Sequence, residues 1–77
     1  MTVLQEALIQ LSNQKTSFIY DVFQEEPVVS FDCRALYDID EFYENKNGSL
    51  RVRMKNGNFK VVTTIEELKK FSPFRHE

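Results

Sequence analysis

Cys33 and His76 are the one cysteine and the one histidine in this sequence, and the only pair from which nucleophilic catalysis could be built. Such a pair needs the imidazole held within hydrogen-bond reach of the sulfur. Cys33 is in phase with Val29 and Phe31 on the apolar side of an expected strand, where a thiol behaves as a small hydrophobe. His76 lies one residue from the end of the sequence, where geometry is too loosely held for catalysis. The acids Asp38, Asp40, Glu41 and Glu44 invite a second chemistry, the binding of a hard cation. Asp38-Ile39-Asp40 has the opening spacing of a calcium loop, but Tyr43 stands where that loop needs glycine, and the closing glutamate is missing. No cysteine–histidine spacing suits zinc. Both glycines follow asparagine in hairpin-type pairs, Asn47-Gly48 and Asn56-Gly57, which leaves no glycine-rich phosphate loop. The sequence is therefore read as that of a non-enzymatic protein that calls for no metal or cofactor.

What remains is binding chemistry, and it lies in the charge pattern. Residues 1–44 hold nine of the twelve acids and two bases, Lys15 and Arg34, a local charge of −7. Residues 45–77 hold eight bases against Glu66, Glu67 and Glu77, a local charge of +5. Lys46, Arg51, Arg53, Lys55 and Lys60 occupy a stretch with no acid, directly after the acidic run. Two arrangements follow. A two-residue turn at Asn47-Gly48 places Glu44 opposite Arg51 and Asp40 opposite Lys55, and the blocks neutralise each other across neighbouring strands. If residues 38–44 instead form a helix elsewhere, the bases are left as a patch for a phosphate or an acidic partner.

The elements that must position these side chains read as follows. Val3, Leu4, Ala7, Leu8 and Leu11 repeat on one helical face, Thr2 and Gln5 form a capping-box pattern, and Asn13 is suited to the left-handed position that ends a helix. Thr16 to Phe23 is β-branched and aromatic with both faces largely apolar, which predicts a strand that is central or covered on both sides. Pro27 breaks it, and Val28 to Cys33 reads as a second strand with Val29, Phe31 and Cys33 inward. Residues 37–45 are read as a strand rather than a short helix, because two Asn-Gly pairs in succession suggest a meander. Leu50, Val52 and Met54 alternate with Arg51, Arg53 and Lys55 in a half-buried strand. A two-residue turn at Asn56-Gly57 pairs Met54 with Phe59, Val52 with Val61 and Leu50 with Thr63. A second capping pattern, Thr64 with Glu67, opens a short helix that Ser72-Pro73 stops, and the tail from Phe74 onward is loose unless Phe74 docks.

Composition bounds the rest. With 77 residues, 42% hydrophobic, and seven Phe beside three Tyr, the chain has the material for one globular core and no room for a second. Residues 1–77 are expected to form a single small α+β domain: an N-terminal helix packed on an antiparallel meander of four to five strands, with a short C-terminal helix. One cysteine and no apolar run long enough for an export signal or a membrane span point to the cytoplasm and away from membranes. On this reading the N-terminal helix covers the sheet face of Leu50, Val52, Met54, Phe59 and Val61. The other face either is closed by the C-terminal helix through Phe71 or Phe74, or keeps Ile19, Phe23, Phe42 and Val62 as apolar anchors, with Arg51, Arg53 and Lys60 for steering. The expected function is a small protein-binding module, an adaptor or an inhibitor, with self-association as a homodimer compatible with the same face. The alternative is a nucleic-acid-binding module using Lys46, Arg51, Arg53, Lys55 and Lys60 of the 46–60 hairpin, although a net charge of −2 is unlike a dedicated nucleic-acid binder.

Overall fold

The computed structural model describes residues 1–31 and 36–75; Cys33 and His76 lie outside the described residues. The elements follow one another as α1 (Val3–Asn13), β1 (Ile19–Phe23), β2 (Glu26–Ser30), β3 (Ile39–Glu44), β4 (Leu50–Met54), β5 (Phe59–Val62) and α2 (Ile65–Leu68). The strands form one antiparallel sheet in chain order, β1-β2-β3-β4-β5, an α+β architecture with an open sheet.

α1 begins where expected. Thr2 Oγ1 accepts the Gln5 amide and the Gln5 side chain accepts the Thr2 amide, so two amides without a helical partner are satisfied reciprocally. It ends differently from expectation. Lys15, not Asn13, takes the left-handed conformation at φ 59°, and the amides of Lys15 and Thr16 close onto the carbonyls of Ser12 and Leu11. This double closure is the Schellman arrangement, which accepts a non-glycine residue at a modest cost.

α1, α2 and the segment after α2 all lie on one side of the sheet. Leu4, Ala7 and Leu11 of α1 join Val29, Phe31, Ile39, Phe42, Leu50, Val52, Val62, Leu68 and Phe74 in a single buried cluster. Phe42 sits at its centre, with ring centroids 6.1 Å from Phe31 and 5.9 Å from Phe74. Phe74 is fully buried, so the residues after α2 dock and complete the core.

Three expectations need correction. β1 is neither central nor covered: in a sheet that follows chain order the first strand is an edge, and all five of its residues are exposed. β2 starts at Glu26 rather than Val28, because Pro27 is tolerated opposite Val22 on the β1 side, while pairing with β3 begins only at Val28. Both Asn-Gly hairpins are one residue longer than predicted. The amides of Asn45 and Gly48 bond to the carbonyls of Ser49 and Asn45, and those of Met54 and Gly57 to Asn58 and Met54. With Gly48 and Gly57 at φ 89° and 90°, each loop is a three-residue turn closed by a left-handed glycine. The register moves by one, so Leu50 pairs with Val62 and Arg53 with Phe59. A slip of one residue exchanges the two faces. Phe59 and Val61 therefore leave the core side, and Val62 enters it.

Candidate protein-binding surface

The pairings lay out the sheet face that no helix covers among the described residues. One row crosses it as Ile19, Ser30, Glu41, Arg53 and Phe59, and the next as Asp21, Val28, Tyr43, Arg51 and Val61. The middle of this face is charged and both of its margins are apolar. Ile19 and Phe23 stand on the β1 margin at 52% and 67% exposure, and Phe59 and Val61 on the β5 margin at 53% and 61%.

The charged middle is held by a bulge in β3. The β3–β4 register shifts between Ile39 and Glu41, so Asp40 and Glu41 together oppose Arg53 while Ile39 and Phe42 both remain buried. The extra residue turns two carboxylates onto one guanidinium. Arg53 donates to Asp40 Oδ2 at 2.8 Å and also pairs with Glu41. Arg51 bridges Glu26 at 2.5 Å, donates to Asn45 Oδ1 at 2.9 Å, and lies 4.8 Å above the Tyr43 ring. The Arg51–Glu26 pair is more than a third exposed and contributes about 0.2 to 1 kcal/mol. The Arg53 cluster is less exposed, and the bulge orients it.

The acidic and basic blocks therefore do neutralise each other across strands, but through different partners from those predicted: Glu26 takes Arg51, and Asp40 with Glu41 takes Arg53, in place of Glu44 with Arg51 and Asp40 with Lys55. Spacing alone held no signal for the bulge.

Tyr43 carries an imprint of this setting. Its phenol is raised above the ordinary tyrosine value, first by partial burial, then by its hydrogen bond to the Glu41 carboxylate and that group's charge; Arg53 and Arg51 pull weakly the other way. A raised folded value means that the associated stability is present below the unfolded value of about 10 and is lost as pH rises through the folded one. An ultraviolet difference titration of the native protein against Tyr43→Phe is expected to show this phenol ionising above about pH 10. Ionisation at or below that value would contradict the partly buried setting of this phenol beside the Glu41 carboxylate.

The expected anchors divide into two groups. Ile19 and Phe23 share the uncovered face, with Arg51 and Arg53 on it. Phe42 and Val62 do not: both are core residues, placed there by the bulge and by the longer β4–β5 loop. Lys60 belongs to the helix side, with its Nζ 5.7 Å from the centre of the Phe71 ring. Phe59 and Val61 are the surface residues that sequence reasoning missed. A three-residue reading of the Asn56-Gly57 loop would have turned them outward.

The five bases of the nucleic-acid reading do not gather into one patch. Lys46 lies in the β3–β4 loop at one end of the sheet and Lys55 in the β4–β5 loop at the other, while Arg51 and Arg53 already face carboxylates. Among the described residues no group of three or more His, Cys, Asp or Glu is placed to hold a metal ion, and no helix is long and apolar enough to cross a membrane. No protein-family model, curated protein or solved structure matches this chain.

Proposed function

We propose that this chain is a small non-enzymatic, cytoplasmic protein-binding module, an adaptor or an inhibitor, whose contact surface is the uncovered sheet face. One observation carries the reading. Ile19, Phe23, Phe59 and Val61 are all more than half exposed on the one face that α1, α2 and the docked segment leave bare. A set of large apolar side chains on a rigid sheet is the usual material of binding anchors. The neutralised belt of Arg51, Arg53, Glu26, Asp40 and Glu41 supplies polar contacts between the two margins, and its paired charges favour a partner that offers hydrogen bonds over one that offers a strong opposite charge.

The test is affinity capture from source-cell lysate with and without nuclease, repeated with Phe23→Ala and Val61→Ala. The expected result is a stoichiometric protein that survives nuclease and binds each variant at least about tenfold more weakly, a loss of roughly 1.4 kcal/mol. Both variants should remain folded, because the side chains removed are solvent-exposed. Recovery of nucleic acid alone, or of proteins that vanish on nuclease treatment, would replace this reading with the nucleic-acid one. Steep salt dependence and sensitivity to Lys46→Glu with Lys55→Glu would then be its signature.

A further inference from the structure

The two edges of the sheet differ in charge. The β1–β2 hairpin, over residues 16–31, carries Asp21, Glu25 and Glu26, the last paired with Arg51, and no base. The other edge, β5, carries Lys60 and lies beside a groove lined by Lys60, Val61, Glu67, Lys70 and Phe71. Natural sheets protect their edges with charges, bulges or covering loops. β1 has little such protection: Ile19, Tyr20, Val22 and Phe23 are exposed, and its one charge, Asp21, uses Oδ1 to accept the neighbouring Val22 amide at 2.8 Å.

We propose that β1 of one copy of this chain adds in parallel to β5 of another, joining copies head to tail into a continuous sheet. The proposal concerns the purified chain alone and stands whether or not a heterologous partner exists. The geometry supports it in three ways. In an antiparallel meander β1 and β5 run in the same direction, so copies placed side by side with their helices on the same side bring these edges together as a parallel pair.

The hydrogen-bond phases also agree. Gln24 and Glu25, at φ 50° and 65°, form a two-residue turn that closes on Phe23 and Glu26 as a mutually bonded pair, which turns the backbone groups of Tyr20 and Val22 to the open edge. The Met54 amide bonded to the Asn58 carbonyl at 2.7 Å sets the β4–β5 phase and turns those of Phe59 and Val61 to the other edge. Tyr20 and Val22 have their side chains on the helix side, and Phe59 and Val61 have theirs on the bare side. A parallel ladder requires this offset, because each edge residue bonds to the two that flank the residue opposite it.

Finally, the side chains find suitable neighbours. Tyr20 and Val22 of the added strand point toward the Lys60–Phe71 groove, where the lysines suit an aromatic ring. Ile19 and Phe23 continue the apolar margin of Phe59 and Val61. The contact is heterologous, so it propagates into a filament or closes into a ring and does not stop at a two-fold dimer.

The test is sedimentation of the purified full chain over a range of concentrations, with Val22→Pro and Val61→Pro as edge blocks. Each substitution removes an amide on the open edge and not one in the ladder; that of Val22 bonds Asp21 Oδ1 in the single chain and exchanges this bond for β5 on association. The expected result is an average mass that rises with concentration beyond the dimer. Each variant alone should be monomeric, and an equimolar mixture should form a one-to-one pair and grow no further. If either proline variant loses its circular dichroism spectrum, Val22→Lys and Val61→Glu replace them at the same exposed positions, since each repels the edge that it must meet. A native chain that stays monomeric to millimolar concentration, a mass that stops at the dimer, or a mixture of blocked variants that remains monomeric would overturn the proposal.

Discussion

Phe42→Ala is expected to lower the unfolding free energy by about 3 to 5 kcal/mol, the usual cost of emptying an aromatic site in a core that cannot collapse around it. Phe42 is fully buried, and its ring is enclosed by those of Phe31 and Phe74. A chain of this length has a total stability of about 4 to 12 kcal/mol, so the substitution removes a large share of it and in a marginal case unfolds the protein. Urea or thermal melts followed by circular dichroism measure this directly. Phe23→Ala is the control, because its ring is exposed and its removal should change stability by no more than about 0.5 kcal/mol. The pair separates a core phenylalanine from a surface one: on the proposed function, loss of Phe42 would weaken binding only by unfolding the sheet, whereas loss of Phe23 would weaken it with the fold intact. Equal destabilisation by the two would contradict the assignment of faces.

Phe74→Ala is expected to cost about as much, again roughly 3 to 5 kcal/mol, although the residue lies beyond the last helix. Its ring is fully buried, 6.4 Å from Phe31 and 5.9 Å from Phe42. The approach to it is anchored from the sheet: Asp38 donates its amide to Ser72 Oγ and accepts the Ser72 amide, and Gln14 at the end of α1 donates to the Pro73 carbonyl at 2.7 Å. The segment after α2 thus ties helix, sheet and chain end together. Because Phe42 and Phe74 touch, the double variant should destabilise by less than the sum of the single ones, with a coupling of about 0.5 to 3 kcal/mol. If Phe74→Ala melts like the native protein, this segment is not part of the core.

The local signals proved readable where one physical cause dominates. The apolar stripe and Thr2–Gln5 capping of α1, the alternation along β4 and the Asn-Gly turns are all present, and with them the helix–meander–helix order. They are short-range effects, set by side-chain periodicity and by backbone conformations that glycine adopts without strain. The surface was less readable, since it depends on phase. An Asn-Gly pair serves a two-residue loop with both residues left-handed, or a three-residue loop with glycine alone left-handed, and the pair itself does not distinguish them. That single residue decides whether Phe59 and Val61 or Val62 face the core. The bulge at Asp40–Glu41 has a similar effect in β3, letting Ile39 and Phe42 both point inward across an even-looking run of acids.

The sequence by itself determined the elements, their order, the separation of acids and bases into adjacent blocks and the existence of one apolar core. Only the tertiary structure decided which strand is an edge, which carboxylate meets which arginine, and which phenylalanines are core and which are surface. The reason is physical. Secondary structure follows from interactions a few residues apart, whereas face and register follow from loop lengths and bulges, whose effect is seen only when two strands are laid side by side.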